Sequence, residues 1–145
     1  MTTKKEELYL NLSTKVDKIR SNIGMETSQF KDYVLTLFFL KSISEKFLRK
    51  PSNALIVLPE GCFYDDIVAL KGDQEIGEKL NIILFKIANK NELPWLVDGG
   101  IDFNNNRHFG SLMEMINILS DLIGIFEELE LGENNSQINI LDVEV

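Results

Sequence analysis

The chain has 145 residues, enough for one domain with a sizeable core. Its 44% hydrophobic and 26% charged residues are ordinary globular values, and its net charge of −8 argues against a freestanding, sequence-independent DNA binder. The single cysteine, Cys62, excludes a disulfide scaffold, and the mixed-charge start lacks the basic-then-apolar pattern of a secretory signal, so the cytoplasm is the expected compartment.

The charge is unevenly distributed. Residues 1–50 hold ten Lys/Arg against six acids, a net +4, and residues 51–145 hold five against seventeen, a net −12. Such a chain can meet a polyanion with one face and protein with another, or carry nothing more than solvated helix faces.

Residues 4–22 read as a first helix, because Leu8, Leu12, Val16, Ile19 and Ile23 recur at steps of four, four, three and four. Its outer side carries Lys15, Lys18 and Arg20. The densest apolar stretch follows, FKDYVLTLFFLKSISEKFL from Phe30 to Leu48. Phe30, Tyr33, Val34, Leu37 and Phe38 share one helical face, and Leu40, Ile43, Phe47 and Leu48 widen it. A helix this apolar is expected at the centre, running from about Ser28 to Arg49, with Thr27 and Ser28 as caps and Pro51 as terminator. Its charged interruptions leave it far short of the roughly 18 clean residues of a membrane span.

Beyond it, Ala54 to Leu58 forms a short apolar run between Pro51 and Pro59, too brief to assign, and Asp65 to Leu70 suggests a small helical piece. A third long helix is expected over Gln74 to Asn89, with Asp73 as N-cap and Ile76, Leu80, Ile83, Leu84 and Ile87 buried. Asn91 to Asn106 reads as a long loop in which Trp95 plugs onto the core. A fourth helix from His108 or Ser111 to about Leu122 places Leu112, Met115, Ile116 and Leu119 in step, with Gly124 as its end or a kink. The fold class is therefore all-α: a small bundle of four to five helices around a central apolar helix, with one short segment that is extended or a single strand. Residues 1–125 form the helical domain, and residues 126–145 an acidic, polar linker or tail.

No catalytic constellation is visible. His108 and Cys62 stand alone, no zinc pattern exists, and neither a Walker loop nor a GxGxxG fingerprint occurs. His108 is expected to be structural or on the surface, and Cys62 to be a small buried residue. Asp102, Asn104 and Asn106 imitate the start of a calcium loop, but Arg107 stands where Gly is needed and Met113 where Glu is needed.

One resemblance gives these helices an identity. VDKIRSNIG followed by SQFKDYVLTLFFLKSISEKF resembles the start of the modification subunit of type I restriction–modification systems. Asp17, Lys18, Ile19 and Arg20 fit the first family pattern. Phe30, Lys31, Val34, Leu35, Leu37, Phe39, Leu40, Lys41, Ile43 and Ser44 fit the second. Leu58-Pro59-Glu60, Ile76-Gly77-x-x-Leu80 and Ile101-Asp102-Phe103 follow in the expected order, so the resemblance spans about residues 10–120.

The resemblance implies the helical N-terminal domain of a subunit that transfers a methyl group from S-adenosylmethionine to adenine N6 in duplex DNA. It implies partnership with double-stranded DNA, a specificity subunit, a restriction subunit and a second modification subunit, and no membrane. The family's Gly-rich cofactor motif and Asn-Pro-Pro-Tyr/Phe motif belong to a methylase core that these residues lack, so this segment alone is expected to bind no cofactor or metal and to methylate nothing. Within a DNA clamp, Lys15, Lys18, Arg20, Lys46, Arg49 and Lys50 are the expected phosphate contacts. Lys31 and Lys41 either join them or snorkel beside the core. The rival expectation is a stand-alone helical protein-interaction module without DNA binding.

Overall fold

A computed structural model describes residue 10 and residues 13–19, 25–49 and 56–128. The architecture is all-helical, with no strand among the described residues. Helix α1 is described over residues 13–19. It is followed by α2 (Thr27–Arg49), α3 (Tyr64–Val68), α4 (Ile76–Lys90), α5 (Trp95–Asp98), α6 (Asn106–Phe109) and α7 (Leu112–Glu127).

Helix α2 has almost the limits that its periodicity predicts. Phe30, Tyr33, Val34, Leu37, Phe38, Leu40 and Ile43 are buried, and Phe47 packs partly buried against them. Leu48 is a correction: it is exposed in the last turn of α2, although its spacing of four from Ser44 and seven from Lys41 places it on the buried face. Thr27 and Ser28 lie inside the helix as its first two residues.

The centre is shared. Helix α7 packs against α2, α3, α4 and α6, whereas α2 packs mainly on α7 and α3. Met115, Leu119, Leu122, Ile123 and Phe126 are buried along α7, and the Phe126 ring meets Phe38 edge-on at 5.8 Å. Both helices are apolar over more than one face, which two mutually covering helices can afford. Helix α7 starts at a complete capping box: Ser111 Oγ accepts from the Glu114 N–H, and the Glu114 carboxylate accepts from the Ser111 N–H. That bond holds the Glu114 carboxyl below its ordinary pKa. Gly110, at φ 84°, breaks α6 from α7, and the Glu114 carboxylate fills the space where a Cβ would stand. Leu112, expected in the buried stripe, is exposed in this first turn. Gly124 neither ends nor caps the helix, which runs past its expected end at about Leu122 and stops after Glu127.

Helix α4 buries Ile76, Leu80, Ile83, Leu84 and Ile87 as its spacing predicts. Asp73 stands two residues before the N-cap Glu75: its carboxylate accepts from Lys79 Nζ and from the Glu75 N–H, both of which hold its pKa down. Ile56 to Leu58 adopts neither helix nor strand, but the Asn91 amide both donates to the Val57 carbonyl and accepts from its N–H, at 2.8 Å each.

Two tyrosines tie α2 to the rest. The Tyr33 hydroxyl donates to the Asp102 carbonyl at 2.9 Å and accepts from the Asp102 N–H at 3.2 Å. Its ring is met edge-on by Phe103, His108 and Phe109. At the other end, Ser44 is buried and its Oγ accepts from the Tyr64 N–H, while the Tyr64 hydroxyl donates to the Ile123 carbonyl of α7 at 2.9 Å.

Gly77 explains why the loop after α5 lies flat on α4. A Cβ there would stand 2.5 Å from the Phe103 carbonyl oxygen and 2.8 Å from Asn104 Cα. One turn on, Asn81 accepts from the Phe103 N–H and donates to the Asp102 carboxylate. The stretch read as a loop is thus held by helix α4, with α5 as a single turn inside it and α6 as another starting at its end. Trp95 corrects the expectation of a plug: it is 59% exposed, its ring edge-on to Phe39 at 5.8 Å, and Leu96 is the residue that enters the core.

Candidate nucleic-acid interface

The expected DNA residues start on α1. Val16 is fully buried and Ile19 packs partly buried against the core, which turns the opposite side of a short helix to solvent. Lys18 lies towards that side, and Lys15, also exposed, flanks Ile19 at the rim of the buried face. Lys15 also reaches across the fold, where its Nζ lies 3.0 Å from Glu128 Oε2 at the end of α7.

On α2 the lysines divide. Lys46 is exposed and Lys31 half-buried. Lys41 is only 9% exposed; its Nζ pairs with Glu45 one turn later at 3.1 Å and stands 5.1 Å over the Tyr64 ring. An ammonium held between a carboxylate and an aromatic face is already satisfied inside the domain. Of the two readings open for Lys41, this geometry supplies the internal one. Arg49 closes α2. Arg20 and Lys50 lie outside the described residues. The described candidates therefore form two places, the outer side of α1 and the outer side of α2 near its C-terminal end with Lys41 beneath it, while Lys31 stands apart near the N-terminal end of α2.

The remaining chemistry-bearing groups serve the fold. His108 Nδ1 lies 2.8 Å from the Tyr33 hydroxyl oxygen. Which of the two groups donates in this contact depends on the imidazole tautomer. Cys62 is buried, and burial pushes its thiol pKa up, away from reactivity. The calcium-like run is turn and cap chemistry: Asp102 accepts from the Asn104 N–H, and Asn105 caps α6 by accepting from Arg107 and His108. Among the described residues no group of His, Cys, Asp and Glu is placed to hold a metal ion. None of their helices is long and apolar enough to cross a membrane.

Sequence reasoning missed the Lys15–Glu128 pair and both tyrosine nodes. The pair had one local signal: Glu127 and Glu128 sit at the negative end of α7, where acids need a cation from elsewhere. Lys71 supplies the other, 2.8 Å from Glu127.

A family model described as the HsdM N-terminal domain matches residues 12–126. The chain belongs to that family. Comparison with curated proteins and with solved structures gives no match. The match takes in residues 13–19 of α1 and every later helix through nearly all of α7. HsdM N-terminal domains are part of the modification subunits of type I restriction–modification systems, which are adenine-specific DNA methyltransferases. S-adenosylmethionine serves the full-length subunits of this family.

The family's pattern in α2 has a physical reading in this member. Val34, Leu37 and Leu40 fill the core. Ser44 holds the start of α3 through the Tyr64 N–H, and Lys41 covers the Tyr64 ring. Ile76-Gly77-x-x-Leu80 is the face of α4 that admits the 103–104 backbone. The pattern encodes packing.

Proposed function

We propose that this domain is a DNA-clamp and subunit-assembly module of a type I modification subunit, holding duplex DNA through phosphate contacts that carry no sequence information. The observation that carries it is the exposure of Lys15, Lys18 and Lys46 on helices whose other sides are buried, within a family of adenine-specific DNA methyltransferase subunits. Arg20, Arg49 and Lys50 extend these two places along the chain, and Lys31 adds a separate cation near the N-terminal end of α2. The specificity subunit, the restriction subunit and a second modification subunit are the protein partners of this reading. Residues beyond α7 serve as the linker towards a methyltransferase core, where S-adenosylmethionine binds and the methyl transfer takes place. These residues perform no transfer themselves.

Binding of a 20-base-pair duplex, followed by fluorescence anisotropy over a salt series, tests the reading. The affinity should fall as salt rises, and reversing Lys18 and Lys46 together should weaken binding and lower the log–log salt slope by about 2, from roughly 0.9 per phosphate contact. A slope unchanged by the reversal contradicts it.

A second reading, a protein-interaction module without DNA binding, is favoured by the net charge of −8 and by Ile82 and Phe85, exposed three residues apart on the outer side of α4. Absence of duplex binding even at low salt, together with tight capture of a partner subunit, supports that alternative.

A further inference from the structure

We propose that Glu128 is an internal competitor for DNA phosphate at Lys15, so that seating DNA on α1 and pinning the acidic end of α7 exclude one another at that ammonium. This rests on the DNA-clamp reading. The geometry is specific. Glu128 caps the C-terminus of α7 in αR conformation, its N–H bonded to the Gly124 carbonyl. Its carboxylate lies 3.0 Å from Lys15 Nζ, 113 residues away in sequence, with the two side chains 73% and 49% exposed. A carboxylate at a helix C-terminus adds charge to the negative end of the dipole, which makes the place attractive to a cation. Lys15 answers it, as Lys71 answers Glu127 on the same turn.

Both partners of the Lys15 pair are open to solvent, so a phosphate oxygen can displace the carboxylate without unpacking the core. Exposed pairs of this kind are weak and salt-screened, which suits exchange and not permanent closure. A single ammonium cannot fully serve both anions, and by linkage whatever draws Glu128 away from Lys15 strengthens DNA contact there, and the reverse.

Duplex affinity of the full 145-residue chain at low salt, measured for a double-mutant cycle, tests the proposal. Glu128→Gln should tighten binding about two- to fivefold, the range of an exposed ion pair. Lys15→Gln should weaken it, and in the Lys15→Gln background the gain from Glu128→Gln should vanish. Glu127→Gln removes the same charge from the same helix end and should give a clearly smaller gain. A gain from Glu128→Gln that persists without Lys15, or that Glu127→Gln equals, overturns the competitor role while leaving the DNA reading intact. Failure of every variant to bind duplex overturns the DNA reading, and this inference with it. Circular dichroism of each variant, unchanged from the parent, keeps the comparison to folded protein.

Discussion

The two ends of α2 are secured by different means. At the N-terminal end, Tyr33 grips the backbone of a loop: its hydroxyl both donates to and accepts from Asp102, and its ring sits among Phe103, His108 and Phe109. At the C-terminal end, Tyr64 is itself gripped, by Ser44 at its N–H, Lys41 over its ring and the Ile123 carbonyl at its hydroxyl. The first node orders a segment whose own hydrophobic pattern is too short to order it. The second joins helices that already pack.

That contrast can be broken at Gly77, on the loop side. Gly77→Ala drives a methyl into the Phe103 carbonyl and should destabilise the domain by about 1–3 kcal/mol in urea denaturation, despite the helix-propensity gain. No loss of stability would mean that the 102–104 segment is free to move off α4. Removing each hydroxyl sharpens the comparison. Tyr33→Phe leaves the Asp102 N–H without its partner and should cost about 1–3 kcal/mol. Tyr64→Phe should cost about 0.5–1.5 kcal/mol, since the Ile123 carbonyl keeps its bond within α7. Equal losses would remove the distinction between the two nodes.

The smallest effect is seen against pH. Burial raises the pKa of both phenols, Tyr64 the more strongly, with the Glu127 carboxylate adding to the rise at Tyr64. A raised folded-state pKa means that the neutral form is favoured by folding. The contribution is then complete below the unfolded value of about 10 and is lost as pH climbs above it. Unfolding free energy from these groups should thus be flat from about pH 8 to 10 and fall beyond, less steeply in Tyr64→Phe than in Tyr33→Phe.

How much of this was legible depends on distance along the chain. The limits of α2 and the buried face of α4 follow from local spacing alone, and the structure reproduces them within one or two residues. The loop does not yield to local reading, because its partners Tyr33 and Asn81 lie 69 and 21 residues from Asp102. Trp95 shows the same failure in one residue. Its size suggested burial, but in the single turn of α5 it is Leu96 that faces the core. Charge was legible in sum and not in detail: the basic excess of the first third is plain, yet Lys41 is enclosed by Glu45 and Tyr64, and Lys15 is engaged by Glu128.

The direct test of the DNA-clamp account is lysine-specific chemical modification, read residue by residue by mass spectrometry, with and without duplex DNA. Lys15, Lys18 and Lys46 should be protected by DNA, Lys86 and Lys90 on the exposed side of α4 should not, and the buried Lys41 should react slowly in both states. Protection centred on α4 with none on α1 or α2, or no protection at all, would contradict the account.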